Sequence, residues 1–256
     1  MRLASSVPAD YPIPDDVLEI TGPDPTPVWL NQTGGLTVRF ELDRRGGAES
    51  ESGRRWGYLK RNPLPNSEDL GLEATKLRWL DGRHPAPRVV AHLRRDVEGA
   101  DIEYLMTEAL PGINAVDPTR AAEANSAVIA IAQGLRMLHG LPIDDCPWTW
   151  STEDRLGLIS AEAASRLGSV PSADRLVVCH GDPCAPNTLI GDDGEFVANV
   201  DMQRLGVADR WADLAVATMS FEWNYSDYDE ALFWDAYGTD PDIERIRYYR
   251  ALWSAE

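Results

Sequence analysis

One stretch in the C-terminal third constrains this chain more than any other. From Val177 to Ile190 it reads VVCHGDPCAPNTLI, and from Phe196 to Leu214 it reads FVANVDMQRLGVADRWADL. Apolar runs on either side of a loop holding His180, Gly181, Asp182 and Asn187 read as strand, loop, strand. Asn187 follows Asp182 in the same loop, and Asp201 closes the next apolar run. Phosphoryl transfer in the protein-kinase manner requires one Asp to orient and deprotonate the attacking hydroxyl. It also requires an Asn and a second Asp to hold magnesium on the nucleotide phosphates. The three groups stand here in that order. This predicts Asp182 as the catalytic Asp and Asn187 with Asp201 as Mg²⁺ ligands, both offering the oxygen donors that a hard cation takes.

Charge narrows the partners. The formal net charge is -18, from 42 acids against 24 Lys and Arg. No basic run offers a face to a nucleic-acid backbone, so nucleic acid is not an expected partner. An acidic surface attracts cations and fits a cationic small-molecule acceptor, although solubility alone accounts for it equally. The three cysteines, Cys146, Cys179 and Cys184, have no metal-like pairing. A zinc set from Cys179, His180, Asp182 and Cys184 is disfavoured because strand alternation splays the side chains. His180 reads as a packing residue rather than a general base. No run is long and apolar enough for a membrane span, and Met1 to Ala4 lead into Pro8, Pro12 and Pro14 rather than a signal segment. The expected compartment is the cytoplasm and the expected state a monomer.

Residues 1–27 are rich in Pro and Asp and read as a poorly ordered arm with a short strand near Val17 to Ile20. Residues 28–106 read as a nucleotide-binding lobe. Strands are expected at 28–30, 36–42, 56–60, 88–93 and 102–106, with a hairpin tip over 43–54 and one helix at 67–80. Residues 107–112 read as a hinge and 113–256 as a catalytic and acceptor-binding lobe. Helices are expected there at 121–139, 153–167, 211–221, 227–237 and 241–253. The fold class is α+β, an N-terminal five-stranded antiparallel sheet with one helix followed by a mostly helical C-terminal lobe.

Lys60 ends the apolar run Trp56 to Leu59, where kinase chemistry places a lysine that reaches the nucleotide phosphates. A helix glutamate must hold it. Glu73 is favoured because Leu70 and Leu77 put it near the buried face, with Glu68 as competitor; an ordinary surface lysine stays open. Gly34 and Gly35 either bring backbone N–H groups to a polyphosphate or form a plain hairpin pair. The segment Met106 to Ala109, including Glu108, would meet an adenine through its backbone. ATP is the expected nucleotide, with GTP not separated from it. Asp209 and Asp213 read as structural, with Asp213 accepting from backbone N–H groups of the catalytic loop.

At these residues the chain resembles the aminoglycoside phosphotransferase family, a branch of the protein-kinase-like two-lobed fold. The likeness is carried by His180-Gly181-Asp182 with Asn187 and by VDMQRLGVADRWADLA from Val200 to Ala215. It extends to Lys60, to EATKLRWL from Glu73 to Leu80, to 106–112, to Cys146-Pro147-Trp148 and to 245–252. It covers roughly residues 28 to 256. The resemblance implies an ATP-dependent O-phosphotransferase with Mg²⁺, acting on a hydroxyl of an aminoglycoside or related amino sugar. Arg204 joins the catalytic set, either binding the acceptor or neutralising Asp182 and Asp201 in the empty site. Two departures stand out. The stretch between Pro147 and His180 is shorter than the helical insertion of familiar relatives, and the family's closing acid pair is replaced by Trp253-Ser254-Ala255-Glu256. The acceptor is expected to meet acids of the 144–154 loop and the last three helices, among them Asp154, Glu222, Asp227, Glu230 and Glu256. Two alternatives share the fold: a kinase for a non-antibiotic alcohol, and a nucleotide binder without transfer.

Overall fold

The computed structural model describes Val7 and residues 11–31, 33–42, 54–66 and 68–256. Its contacts divide the chain into two compact units. One holds Met1–Asp81 and Pro87–Leu110, the other Gly82–Ala86 and Pro111–Glu256.

The first unit is built on five strands, β1 (Thr26–Leu30), β2 (Leu36–Glu41), β3 (Trp56–Pro63), β4 (Val89–Val97) and β5 (Ala100–Glu108). They are antiparallel throughout, in the order β1-β2-β3-β5-β4. The alternation in β2 turns Leu36, Val38 and Phe40 into a core shared with Leu59, Ile102 and Tyr104. The hairpin tip expected at 43–54 lies outside the described residues up to position 53.

Two expectations are corrected here. The segment read as a strand near Val17 to Ile20, within a poorly ordered arm, is a helix, α1 (Asp15–Thr21). Among its described residues the first unit has α1 and a second helix, α2 (Leu70–Leu80). In so short a stretch the apolar residues fit period two and period 3.6 alike. Packing decides: Val17 and Ile20 are buried in the sheet core. Asp15 and Asp16 suit the positive end of the helix. Asp16 also accepts from Arg61 Nε at 2.6 Å and from the Tyr104 hydroxyl. Burial works to raise the Asp16 carboxyl, and these two bonds and the Arg61 charge hold it below its ordinary value.

The second unit packs α3 (Ala124–Leu138), α6 (Trp211–Asn224), α7 (Ala231–Tyr237) and α8 (Ile243–Trp253) into one apolar core. Short strands carry its loops. β6 (Ile113–Asn114), β8 (Thr188–Ile190) and β9 (Phe196–Asn199) form one sheet, and β7 (Leu176–Cys179) pairs with β10 (Gly206–Asp209). The helix expected at 153–167 is two pieces, α4 (Thr152–Leu156) and α5 (Ala161–Arg166). Gly157 ends the first, and the Ser160 side chain caps the second. The helix expected from Asp227 starts only at Ala231, because Asp229 accepts from the Ala231 N–H.

Residues 82–86, which follow α2 in the chain, belong to the second unit. Asn199 N donates to Pro85 O at 3.1 Å, and the Asn199 amide oxygen lies 2.8 Å from His84 Nε2. Burial holds the His84 imidazole down to about 4, against its ordinary 6.5. An unfolded chain therefore binds a proton between pH 6.5 and 4 that the folded chain refuses. Stability falls as pH drops through that window, by up to about 3 kcal/mol from this group. His84→Gln keeps a donor for Asn199, and its urea-unfolding free energy should fall less between pH 6.5 and 4 than that of the parent. Identical pH slopes would refute this account.

Candidate active site

Lys60 lies on the central strand β3, opposite Thr37 of β2 and Leu105 of β5. Its Nζ is 2.9 Å from both carboxylate oxygens of Glu73, whose side chain is almost fully buried. Glu68 faces elsewhere, with its carboxylate 3.4 Å from Asn62 Nδ2. Glu73 sits in the first turn of α2, and two acids fix where that turn begins. Asp69 caps it through the Leu72 N–H at 2.7 Å. Glu103 reaches over from β5 to accept from the Leu70 N–H at 3.2 Å, and also contacts His92 Nε2 at 2.9 Å. Glu103 escapes a sequence reading because no local pattern pairs it with a helix start so far away in the chain.

The glycine pair has another use than the polyphosphate reading allows. Asn31 accepts from Gly34 N through its carbonyl at 3.3 Å and from Gly35 N through its side chain at 2.5 Å. Both N–H groups are thus consumed inside the turn. A Cβ on Gly35 would sit 2.3 Å from Asn62 Oδ1, so the position needs glycine for close approach. At the end of β5, Met106 pairs with Leu59 and Glu108 with Gly57. The N–H groups of Glu108 and Ala109 donate to Arg88 O at 2.9 Å and Trp56 O at 2.8 Å. The Glu108 carboxylate takes Arg55 at 2.5 Å.

In the second unit the loop between β7 and β8 is held from below by Asp213, in the first turn of α6. Asp213 is fully buried. It accepts from His180 N at 2.6 Å and Gly181 N at 3.0 Å, and lies 3.0 Å from His139 Nε2. Burial works to raise its carboxyl, but the His139 bond and charge, with help from His180 and the Gly181 amide, hold it below the ordinary value. The position expected to serve the catalytic-loop backbone does so. Gly181 has φ 84°, and a Cβ there would lie 2.4 Å from Arg204 O. Only glycine meets both conditions.

Above Asp213 the proposed catalytic groups are joined in a closed circuit of hydrogen bonds. Asp182 N donates to His180 Nδ1 at 3.3 Å. His180 Nε2 must then carry the ring proton, and it donates to Val200 O at 3.0 Å. Val200 N donates to Asn187 O at 3.0 Å, and Asn187 Nδ2 donates back to Asp182 O at 2.9 Å. Asn187 therefore keeps its amide oxygen pointed away from the bond to Asp182. Asp201 follows Val200 in a left-handed conformation, φ 62° and ψ 52°, and is exposed. Asp182 Oδ1 is buried and has no hydrogen-bond partner among the described residues.

The cysteines offer no competing chemistry. Burial and the neighbouring Asp182 push the Cys184 thiol far up, and burial with Asp213 and Asp209 does the same to Cys179. His139, Cys179 and Asp213 place three possible ligand atoms within 4.8 Å of one another. Each is already engaged: His139 Nδ1 meets the Tyr237 hydroxyl at 2.8 Å, and Cys179 Sγ donates to Asp209 O at 3.5 Å. The cluster is a hydrogen-bonded core beneath the loop.

Arg204 does not stand free. Its Nη1 is 3.4 Å from Glu256 Oε2, and its guanidinium lies over the rings of Trp150 and Trp253. This corrects the expected acidic lining in part. Glu256 is taken by arginines, Glu222 by Arg250 at 2.6 Å, Glu230 by the Trp234 indole at 2.9 Å and Asp154 by the capping box with Ser151. Asp227 and Glu230 do not share a helix turn, since α7 begins after both.

Comparison with known proteins places this geometry. The chain matches the phosphotransferase enzyme family over residues 44–168 and 154–249, and it belongs to that family. It is 32% identical to an aminoglycoside 3'-phosphotransferase of Niallia circulans, over 93% of this chain and 95% of that protein. It is 29% identical to a streptomycin 3''-kinase of Streptomyces griseus, over 90% and 96%. Among solved structures it superposes on an aminoglycoside phosphotransferase of Streptomyces rimosus in complex with ADP and streptomycin. That match has a TM-score of 0.67 and 24% identity and covers 94% of this chain and 98% of that one. The chain is an enzyme of the aminoglycoside phosphotransferase type. No helix among the described residues is long and apolar enough to cross a membrane.

Asp213→Asn should loosen the catalytic loop, because an amide supplies one acceptor where the carboxylate supplied two. Hydrogen bonds to a charged group contribute about 1.5–3 kcal/mol each. A loss of about 2–4 kcal/mol in urea unfolding is expected. A variant as stable as the parent would show that the loop does not depend on this carboxylate.

Proposed function

We propose that the chain transfers the γ-phosphoryl group of ATP to a hydroxyl of an aminoglycoside or related amino sugar. The observation that carries this reading is the buried, unpartnered Oδ1 of Asp182 in a loop whose backbone is pinned by His180, Asn187 and Asp213. A buried carboxylate oxygen without a donor is unfavourable unless a ligand supplies one. An acceptor hydroxyl is such a donor, and a protein that only bound nucleotide would gain nothing from the arrangement. The activities of the relatives in Niallia circulans and Streptomyces griseus support that acceptor class.

In this reading Asp182 Oδ1 accepts the hydroxyl hydrogen and orients the oxygen toward phosphorus. The acceptor O–P bond forms, the bond from the γ-phosphorus to the β,γ-bridging oxygen breaks, ADP departs, and the hydroxyl proton passes to Asp182. Lys60, held by both oxygens of Glu73, presents its ammonium to the nucleotide phosphates. The Asn187 amide oxygen and the exposed Asp201 carboxylate form an all-oxygen donor set that fits Mg²⁺. When bound, the ion would neutralise phosphate charge. His180 acts through its two bonds, keeping the Asp182 and Asp201 segments in fixed register.

Asp182→Ala should lower kcat by about 10²–10⁴ while leaving ATP binding nearly unchanged. Turnover within about threefold of the parent would remove Asp182 from the reaction. Asp201→Asn keeps the side-chain size and the left-handed backbone but removes a charge. It should shift the magnesium dependence of activity to higher concentration and weaken Mg²⁺–ATP binding in calorimetry. An unchanged magnesium profile would place the metal elsewhere.

A further inference from the structure

Arg204 is bound into a cluster that the reaction just described does not use. Its backbone lies against Gly181, the residue before Asp182. Its guanidinium carbon stands 5.5 Å from the ring centre of Trp150 and 5.2 Å from that of Trp253. Trp150 is fixed in place by β10: its N–H donates to Val207 O at 3.0 Å, and Val207 N donates to Trp148 O at 2.8 Å. The Glu256 side chain is only 5% exposed, with Oε1 2.6 Å from Arg155 Nε and Oε2 3.4 Å from Arg204 Nη1. Arg155 is itself 2% exposed at the side chain.

Donors outnumber acceptors in this cluster. Arg155 Nη1 and the indole nitrogens of Trp150 and Trp253 are buried without a partner among the described residues. Burying a lone carboxylate is costly, and the short bond from Arg155 offsets that cost. The longer contact to Arg204 is near the outer limit of a hydrogen bond. Arg204 is thus restrained rather than consumed, and its side chain keeps 35% exposure. Without the Glu256 side-chain charge, two guanidinium groups near the Trp150 ring would lose the carboxylate they share, one of them reaching solvent beside the Asp182 loop.

Resting on the phosphotransfer reading above, we propose that Glu256, braced by Arg155, is a positioning and specificity-determining residue. It holds Arg204 between Trp150 and Trp253 and offsets part of the positive charge that Arg204 and Arg155 bring together, so that a cationic acceptor can approach Asp182. The class of acceptor this favours carries an ammonium near the reacting hydroxyl, where an uncompensated arginine would repel it.

The full-length chain is tested as Glu256→Gln, Arg204→Gln and the double variant. Steady-state kinetics would use a panel of aminoglycosides and a neutral sugar at low and high salt. The indole ¹H–¹⁵N resonances of Trp150 and Trp253 would be followed in the same proteins. Glu256→Gln is expected to raise the KM for cationic acceptors about tenfold at low salt and less at high salt, where charges are screened. The KM for ATP should stay within about twofold, and the neutral sugar should be unaffected. Adding Arg204→Gln should return the acceptor KM toward the parent value. Both indole resonances should move in Glu256→Gln, since Arg204 leaves the rings. An unchanged acceptor KM, a change equal at all salts, or a double variant worse than either single one would overturn the charge-balancing role. Unmoved indole resonances would overturn the restraint itself. If the parent phosphorylates none of the panel, the proposed function fails, and the indole resonances alone then decide whether Glu256 holds Arg204.

Discussion

The second unit depends on the buried carboxylate of Asp213. One side chain at the start of α6 satisfies two successive backbone N–H groups of the loop and a histidine from the end of α3. A carboxylate so deeply buried is tolerated only because each of its oxygens finds a donor. The arrangement converts the rigidity of two long helices into the rigidity of a few loop residues. Asp182 and Asn187 then need no support from solvent. The circuit through His180, Val200 and Asn187 adds the lateral restraint that a single anchor does not give.

The first unit solves a similar problem with a different device. Lys60 must project from a sheet toward a partner on a helix, so the helix must begin at one defined residue. Asp69 caps α2 locally, and Glu103 caps it from the neighbouring strand. The outcome is an ion pair with both oxygens of Glu73 at 2.9 Å from one ammonium. Such symmetry is unusual for an exposed pair, whose side chains lose entropy for little return. Here the glutamate is buried, so the contact to Lys60 offsets its desolvation as well as setting its direction.

Much of this was legible from residue patterns, and the limits have physical causes. The strands around Leu36, Tyr58 and Tyr104 follow from alternation, and α3 follows from apolar spacing along an alanine-rich stretch. Asp182, Asn187 and Asp201 stand out because the proposed chemistry requires those types in that order. Asp213 was readable as a backbone anchor for the same reason. What stayed hidden depends on partners far apart in the chain. The α1 helix is too short for periodicity to choose its type, and its burial rests on Arg61 and Tyr104. Glu103, the His84–Asn199 contact and the Arg155–Glu256 pair leave no local trace. The glycine pair stayed open between two uses because glycine marks a turn without saying who takes its N–H groups, which here go to Asn31. A charge count likewise does not show that Glu222 and Glu256 are already paired with arginines.

The left-handed backbone at Asp201 bears on how the protein can change by mutation. A residue with φ near 62° is most comfortable as glycine, asparagine or aspartate, although Glu98 of this chain also adopts φ 53°. Glutamate would retain the charge but add strain and a longer reach. The two least strained substitutions at this position, glycine and asparagine, both discard the negative charge. In the proposed metal-binding role, loss of that charge is an easy route to inactivation. Variation in what the enzyme accepts is left to positions free of that backbone constraint.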